Sequence, residues 1–439
     1  MRKAIITVGL GFGDESKGAT VDYLCREHNA NLVIRYSGGS QCGHNVELPD
    51  GRRHTFSQLG SGTLSGVETY LGHQVIINPP AMSTEMNHLR SVFNIDATKM
   101  LTVHPKCLVS TILHQKVNHL REISRRNNKH GSCGHGIGET RNYWLKHGDE
   151  AIFAEDLYNV HILDYKLQLL KQRLVLELNA LVDQRTHEEQ IIDIAKEISN
   201  IRTYGLAMWY NNYIALFKLS SEIPECDIAV FEGAQGVLLD ESYGFHPYTT
   251  WSNVTPQFAV DMAYGLDDVT ILGITRAFTT RHGAGPLPTF NSGLTKSLVD
   301  IGNPTNRWQG EFKVGHLDLP LLTYAAKICK LLDCKLDGLV VSHLDQIDEN
   351  YKVCTKYNKC YLSYHGDYSL PYCLGALEPI PMNLKNLEYA GKLLQTHDQD
   401  LIYENIDRNG LLDRLSGIAP VSIVSDGPTF KHRTKHMSY

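Results

Sequence analysis

The feature that most constrains this chain is a glycine-rich loop between a strand and a helix near the N-terminus. An apolar, β-branched run of strand length, Ala4–Val8, leads into a loop at residues 9–18, and apolar residues then recur at helical spacing in Val21 and Leu24. In such an arrangement, backbone N–H groups and the N-terminus of the helix bind phosphate. The loop therefore predicts an α/β protein that binds a phosphorylated ligand.

The residues of this loop do not follow two familiar phosphate-binding patterns. Lys17 precedes the last glycine, so neither G-x-x-x-x-G-K-[ST] nor G-x-G-x-x-G is matched. The loop instead carries two adjacent acids, Asp14 and Glu15. A carboxylate beside phosphate is repulsive unless it binds Mg²⁺ or transfers a proton. A structural turn would explain the glycines but not the two acids and the lysine together, so we interpret the loop as functional.

Length and composition limit the class of protein. A chain of 439 residues with 42% apolar and 21% charged residues can form a large globular α/β domain with insertions, or two domains. A formal charge of −6 without a long basic run argues against nucleic-acid binding. There is no run of membrane-span length, no signal peptide, and no C-x-x-C pair among the ten cysteines. We therefore expect a cytoplasmic protein with reduced cysteines that binds neither nucleic acid nor a membrane.

Further polar loops follow other predicted strands. These strands are Asn31–Tyr36, Asp227–Glu232, Val269–Phe278, Leu336–Asp345 and Val421–Ser425. Ligands of open parallel sheets lie beyond the carboxyl ends of the strands, so the loops are candidate binding segments. Strands that alternate with helices predict an α/β fold with a large, mostly parallel central sheet flanked by helices.

Two segments depart from this alternation. Residues 150–222 contain leucines spaced by three or four, from Leu167 to Leu181, which predicts a mainly helical insertion without chemistry of its own. Val353–Tyr364 is typical of a small antiparallel β-hairpin. Without an internal repeat or a linker, we expect one domain over residues 1–439.

Taken in order, these motifs resemble the adenylosuccinate synthetase family. The matching segments run from residue 4 to about residue 430 and are Gly13–Gly18, Gly38–His44, Gly134–Gly138, Phe231–Gly236, Pro247–Asn253, Thr280–Thr289, Gly315–Asp318, His343–Asp345 and Gly427–Pro428. The resemblance implies a fold related to the P-loop NTPases. It also implies a homodimeric, Mg²⁺-dependent ligase of purine biosynthesis that uses GTP to join the amino group of aspartate to C6 of inosine monophosphate.

The same resemblance implies roles for four catalytic side chains. Asp14 would take the N1 proton of the purine, so that the 6-oxygen attacks the γ-phosphate. His44 would hydrogen-bond that phosphate, Lys17 would neutralise its charge, and Gln235 would hold the 6-oxygen. Mg²⁺ would be bound by Asp14 and the carbonyl group of Gly43.

Two nucleotide subsites also follow from the resemblance. The residues implied for the nucleoside triphosphate are Gly13, Glu15, Ser16, Gly18, Gly43, His343, Asp345, Ser425 and Gly427. Those implied for the purine monophosphate are Gln41, Ser132, Cys133, Leu239, Thr250, His282 and His147. Asp345 would recognise guanine, and Thr250 would hold the 5′-phosphate. His147 or Lys146 occupies the position of an arginine that the family donates across a dimer.

The loop for the amine substrate departs most from the family pattern. The family has four arginines that bind the carboxylates of aspartate, whereas this chain has Gly310-Glu311-Phe312-Lys313, with Arg307 and Gln309 shortly before them. L-Aspartate is the expected amine, and a different amine is an alternative. Use of ATP, synthesis of 2-aminoadenylosuccinate from dGMP as in a phage relative, and a non-catalytic nucleotide sensor are further alternatives.

Overall fold

The computed structural model describes residues 2–125, 131–183, 189–298, 300, 310–348, 351–357, 383–395 and 401–437. The strands in this part of the chain are β1 (Lys3–Gly9), β2 (Leu32–Arg35), β3 (His44–Glu47), β4 (Arg53–Phe56), β5 (Glu68–Leu71), β6 (Ile76–Ile77), β7 (Leu101–Val103), β8 (Leu108–Val109), β9 (Lys218–Leu219), β10 (Ile228–Glu232), β11 (Asp268–Arg276), β12 (Thr279–His282), β13 (Phe312–Gly315), β14 (Leu317–Asp318), β15 (Gly338–Ser342), β16 (Tyr351–Tyr357), β17 (Leu401–Ile406), β18 (Val421–Ser425) and β19 (Arg433–Lys435). The helices are α1 (Lys17–His28), α2 (Pro79–Phe93), α3 (Ile112–Ser124), α4 (Ile137–His147), α5 (Val160–Asp183), α6 (Glu189–Asn200), α7 (Thr203–Asn211), α8 (Gln257–Met262), α9 (Ser292–Ser297), α10 (Leu319–Leu331), α11 (Leu384–Gln395) and α12 (Arg408–Ser416).

A 10-stranded sheet forms the centre of the fold, in the order β19-β18-β15-β11-β1-β10-β2-β5-β7-β9. Every neighbouring pair is parallel except β18 and β19. The apolar side chains of the central strand β1 are fully buried, as expected of a parallel sheet covered on both faces. This confirms the predicted α/β class with a large, mostly parallel sheet flanked by helices.

The register of the central strands brings their carboxyl ends together. Glu232 at the end of β10 lies opposite Thr7 of β1 on one side and Arg35 of β2 on the other. Strands β11 and β15 continue the sheet on the far side of β1. The loops that follow these strands are therefore neighbours at one edge of the sheet, where ligands bind in such folds.

The first loop turns sharply before α1 begins. Gly13, Asp14 and Ser16 have φ values of 90°, 61° and 69°, and Ser16 is the residue before the first turn of the helix. A Cβ atom at Gly18 would lie only 2.9 Å from the carbonyl carbon of His44. A glycine is thus required where α1 packs against the start of β3, and this close packing places His44 beside the loop.

The predicted helical stretch contains α5, α6 and α7. Leu167, Leu170, Leu174 and Leu178 are buried on one side of α5, in the core that these helices share with α2 and α3. The leucine spacing therefore does describe packing. The assignment of residues 1–439 to one domain stays a prediction.

The predicted hairpin corresponds in part to β16. Its antiparallel partner is β17, and its other neighbour is the short parallel strand β14. The small β excursion is therefore present, with a strand partner distant in sequence. Residues 358–364, where the second half of the predicted hairpin falls, lie outside the described residues.

Two expectations about the environment of the chain concern cysteines and membranes. The eight cysteines in the described ranges all carry free thiols. Among the same residues, no helix combines the length and the apolar character that crossing a membrane requires.

Candidate active site

A cavity of about 870 Å³ opens at the carboxyl ends of the central strands. This volume lies towards the upper end of the range of about 300–1,000 Å³ for small-molecule sites, so more than one ligand can fit. The predicted site residues that line it are Gly13, Asp14, Glu15, Ser16, Lys17, Gly18, Gln41, Gly43, His44, Ser132, Cys133, Gln235, Leu239, Thr250, His282, His343, Asp345, Ser425 and Gly427. Segments from both halves of the sequence thus meet at one site.

Two of the described candidates are not among the residues that line the cavity. The ring of His147 packs against Tyr143 at a centroid distance of 4.6 Å, and the neighbouring Lys146 lines the cavity instead. Lys313 lies on β13, where its backbone is paired with Arg281 of β12. Arg307 and Gln309 lie outside the described residues.

The phosphate loop is held by its own acidic residue. Glu15 accepts hydrogen bonds at Oε1 from the N–H groups of Gly11 (3.0 Å) and Gly13 (2.7 Å). Its Oε2 lies 2.5 Å from Nζ of Lys17, and the side chains of Lys17 and Glu15 are only 3% and 5% exposed. The Glu15 carboxylate therefore fixes the loop and orients Lys17, which places the lysine where phosphate would bind.

The other acid of the loop, Asp14, lies beside Arg276. Burial raises the pKa of the Asp14 carboxyl, although the charges of Arg276 and Lys17 act in the opposite direction. Arg276 donates a hydrogen bond from Nε to the backbone carbonyl of Asp14, and its Nη2 lies 2.8 Å from the carboxylate of Asp300. A carboxylate with a raised pKa is a better proton acceptor near neutral pH.

His44 is paired with a carboxylate that the sequence analysis did not assign to the site. Its Nδ1 lies 2.5 Å from Oε1 of Glu232. The carboxylate of Glu232 also accepts two hydrogen bonds from Ser61: one from its N–H to Oε2 at 2.9 Å, and one from its hydroxyl to Oε1 at 2.5 Å. Burial lowers the pKa of His44 to about 4. Burial alone would raise the pKa of Glu232, but the contacts with His44, Arg35 and Ser61 outweigh it and hold that pKa at about 2. The second ring nitrogen, Nε2 of His44, is buried without a hydrogen-bond partner among the described residues.

Several of the candidates for the purine monophosphate are neutral hydrogen-bonding groups that line the cavity. Gln235 has a positive φ of 56°, and its Nε2 contacts the sulfur of Cys42 at 3.7 Å. Oε1 of Gln41 is buried and has no partner among the described residues. Ser132 accepts a hydrogen bond of 2.9 Å from Asn118, and burial raises the pKa of Cys133 to about 12. Groups of this kind can bind the polar edge of a purine.

The candidates for the base of the triphosphate line the same cavity. His343 lies within 3.0 Å of the hydroxyl of Ser342, and burial lowers the pKa of its ring well below the ordinary value. Asp345 is exposed at the cavity wall, and Ser425 donates to the carbonyl of Gly427 at 3.0 Å. An exposed carboxylate at this position can accept hydrogen bonds from a base that carries N–H groups.

Several charged residues of the site escaped the sequence analysis. Arg35, Glu232 and Arg276 each end a buried parallel strand, and Asp300 and Ser61 are their partners. A charged residue at the end of an otherwise apolar strand could have indicated these site residues, because charged side chains are rarely buried unless they are paired.

Fold and site together define a phosphate-binding α/β enzyme, and comparisons with known proteins identify which one it resembles. The profile of the adenylosuccinate synthetase family matches residues 6–429. Adenylosuccinate synthetase of Francisella tularensis subsp. novicida is 31% identical over 404 residues, which cover 86% of this chain and 88% of that protein. The enzyme of the same name from Francisella philomiragia is 31% identical over 366 residues, 80% of each chain.

Solved structures show the same fold. Fully ligated adenylosuccinate synthetase from Plasmodium falciparum has a TM-score of 0.74 at 18% identity and covers 99% of both chains. Succinoaminodeoxyadenylate synthetase of cyanophage S-2L, bound to dGMP and dATP, has a TM-score of 0.59 at 13% identity and covers 100% of this chain and 96% of its own. The chain belongs to the adenylosuccinate synthetase family. It is accordingly a nucleoside triphosphate-dependent ligase that forms a C–N bond on a purine nucleotide, in a family that generally depends on Mg²⁺.

Proposed function

We propose that this ligase phosphorylates the 6-oxygen of inosine monophosphate with GTP and then joins L-aspartate at C6. The observation that carries the proposal is that Asp14, His44 and Gln235 line the same cavity as the phosphate loop with Lys17. A protein that only bound nucleotides would need the loop, but it would not need a proton acceptor, a histidine and a glutamine beside it.

The reaction begins with a proton transfer. Asp14 accepts the N1 proton of the purine, and the electron pair that this releases makes the 6-oxygen nucleophilic. The 6-oxygen then forms a bond to the γ-phosphorus while the bond to the leaving diphosphate breaks. In the second step the amino group of aspartate attacks C6, phosphate leaves with the former 6-oxygen, and the attacking nitrogen releases a proton to solvent.

Three side chains stabilise the charge that moves during phosphoryl transfer. Lys17 follows the phosphate loop and supplies positive charge, and Nε2 of His44 is free to face the transferred group. Gln235 holds the 6-oxygen with its amide group. Each of them acts from an element whose position the sheet fixes, which limits the reorganisation needed in the transition state.

The proposed Mg²⁺ site fits the oxygen atoms present. Asp14 and Gly43 both line the cavity, and the carboxylate and carbonyl oxygens that they would supply are hard ligands of the kind that Mg²⁺ prefers. The described residues contain no group of three or more His, Cys, Asp or Glu side chains that could hold a metal ion by themselves. That agrees with a metal bound mainly by substrate phosphates and water, which would neutralise the charge of the β- and γ-phosphates.

GTP is the proposed phosphate donor because of Asp345. A carboxylate accepts hydrogen bonds from N1–H and the 2-amino group of guanine, whereas adenine has no N1–H. L-Aspartate is proposed because the relatives at about 30% identity are named adenylosuccinate synthetases. On the same family grounds we propose a homodimer in the cytoplasm.

The test is a mass-spectrometric assay of substrate pairs. Purified protein is incubated with Mg²⁺, GTP or ATP, one of IMP, dIMP, GMP or dGMP, and a pool of amino acids, with Asp14→Asn as the inactive control. A succinyl adduct of IMP, formed with release of phosphate from GTP, supports the proposal. The same adduct on dGMP would assign the phage-type reaction, another adduct would assign a different amine, and nucleotide binding without any product would assign a sensor.

A further inference from the structure

We propose that Glu232 is a positioning residue for His44: with Ser61 it holds the imidazole so that Nε2 faces the phosphoryl group in transfer. The catalytic part of this inference rests on the proposed function, whereas the arrangement of the ring does not. The family resemblance assigned no role to the Glu232 side chain.

The sheet explains why Glu232 lies where it does. It is the last residue of β10, fully buried, and the parallel register sets it between Thr7 of β1 and Arg35 of β2. Arg35 is buried as well, so a positive charge lies next to the carboxylate. A buried carboxylate is retained in a fold when it is paired and hydrogen-bonded, and here both conditions are met.

The hydrogen bonds of Glu232 leave one orientation for the histidine ring. Nδ1 of His44 donates to Oε1, and Ser61 donates to both carboxylate oxygens. The backbone and Cβ of His44 pack against Gly18 of α1, with no room for even a methyl group between them. Nε2 is consequently the ring nitrogen left for a ligand, and it is buried and unpartnered in the described part of the site. An acid that fixes the ring and its tautomer in this way is a recurring element of catalytic histidines.

A purely structural role is the competing explanation, and the chain contains a residue that has such a role. Glu85 is also a buried carboxylate that accepts two backbone N–H groups, those of Gln58 (3.0 Å) and Leu59 (3.1 Å). It binds the segment that leads to Ser61, but among the described residues it makes no hydrogen bond to His44, Ser61 or Glu232. Glu85→Gln is therefore a matched control for the loss of a buried, loop-fixing carboxylate.

The kinetic test is a double-mutant cycle between Glu232 and His44. We expect Glu232→Gln to lower kcat by about 10²–10⁴-fold, the usual contribution of a proton-transferring or charge-stabilising side chain, with KM for both nucleotides within about threefold of wild type. In a His44→Ala background the same substitution should cost less than about threefold, because the residue through which it acts is gone. Glu85→Gln should lower thermal stability and leave kcat unchanged.

The inference would be overturned if Glu232→Gln lowered kcat by the same factor in the wild-type and His44→Ala backgrounds. A higher KM at constant kcat would also overturn it. If Glu232→Gln does not fold, Ser61→Ala replaces it. The loss of its hydroxyl bond to Oε1 should give a smaller fall in kcat that also disappears in the His44→Ala background.

A spectroscopic test does not depend on turnover. In protein labelled with ¹⁵N-histidine, the resonances that disappear in His44→Asn identify His44, and we expect a strongly downfield proton bonded to its Nδ1. This signal should be lost in Glu232→Gln and retained in Glu85→Gln. If the wild type makes no product but shows the signal, the proposed function fails and the arrangement stands. If product forms but the proton is on Nε2 alone, the inference about Glu232 is overturned.

Discussion

Replacement of Lys17 by methionine should separate the stability of the phosphate loop from its chemistry. Lys17 and Glu15 form an ion pair of 2.5 Å with side chains 3% and 5% exposed. Methionine retains most of the length and apolar character of lysine but removes the charge. The Glu15 carboxylate then stays buried, supported only by the N–H groups of Gly11 and Gly13.

The expected loss can be derived from this geometry. Removal of one partner of a buried pair costs about 3–5 kcal/mol, because the other charge is left uncompensated. Two N–H bonds to Glu15 survive, so we expect the lower end, a decrease of about 3 kcal/mol in the free energy of unfolding. Addition of Glu15→Gln removes the uncompensated charge while the amide oxygen keeps the backbone hydrogen bonds. The double variant should therefore return to within about 1 kcal/mol of wild type.

Urea unfolding followed by fluorescence measures the stability, and release of phosphate from GTP measures the chemistry. Both Lys17→Met variants should lose turnover by about 10²–10³-fold, since each lacks the charge that we propose neutralises the transferred phosphate. Lys106→Met is the control, because Lys106 and Glu155 form an equally short pair whose side chains are 57% and 40% exposed. This control should cost no more than about 1 kcal/mol. If Lys17→Met and Lys106→Met are equally stable, or if the double variant recovers turnover, the reasoning about Lys17 is refuted.

Three further predictions follow from single residues. Asp345→Asn should lower kcat/KM for GTP by about 10²–10⁴-fold, because two hydrogen bonds to a charged group are worth about 1.5–3 kcal/mol each. The variant should favour xanthosine triphosphate, because the 2-oxygen of xanthine can accept a hydrogen bond from the new amide. Unchanged use of GTP in a competition assay would show that the base binds elsewhere. Burial raises the pKa of Asp318 from 3.8 to about 7, so between these pH values the folded chain retains a proton that the unfolded chain has lost. The free energy of unfolding should therefore fall as pH rises from about 4 to above 7, by as much as about 4 kcal/mol. Asp318→Asn should flatten this dependence in urea unfolding at pH 5 and pH 8, and an unaltered slope would contradict the assignment. Gly236→Ala would place a Cβ 2.3 Å from the carbonyl oxygen of Gly11, so it should abolish GTP binding measured by calorimetry. The control Gly205→Ala lies in helix α7 and has no atom within 4 Å of its Cβ, so it should bind GTP normally and melt at the same or a higher temperature. Equal affinity of both variants for GTP would show that the loop can shift.

The class of fold could be predicted from the sequence because its signals are local. The strand of Ala4–Val8, the glycines of the loop that follows and the helical spacing of Val21 and Leu24 each depend on residues close together in the chain. The structure confirms them as β1, the turn at Gly13–Ser16 and α1. Strands that end in polar loops also predicted which segments would line the cavity, since all parallel strands of one sheet present their carboxyl ends on the same edge.

Partners could not be predicted where the pairing depends on the order of strands in the sheet. His44 and Glu232 are 188 positions apart and meet because β10 lies between β1 and β2. Arg276 reaches the carbonyl of Asp14 because β11 is the other neighbour of β1. Lys313 does not line the cavity, and its backbone is paired with Arg281 of β12 in an antiparallel register that nothing near it in sequence indicates.

The sequence by itself therefore determined the phosphate loop, the alternation of strands and helices, and a set of 19 residues that line the cavity. Only the tertiary structure decided which charges face one another across the sheet: Glu232 with His44, and Arg276 with Asp14 and Asp300. The physical reason is that backbone conformation responds to neighbours along the chain. The pKa and orientation of a buried side chain respond instead to groups that the sheet brings within a few ångströms.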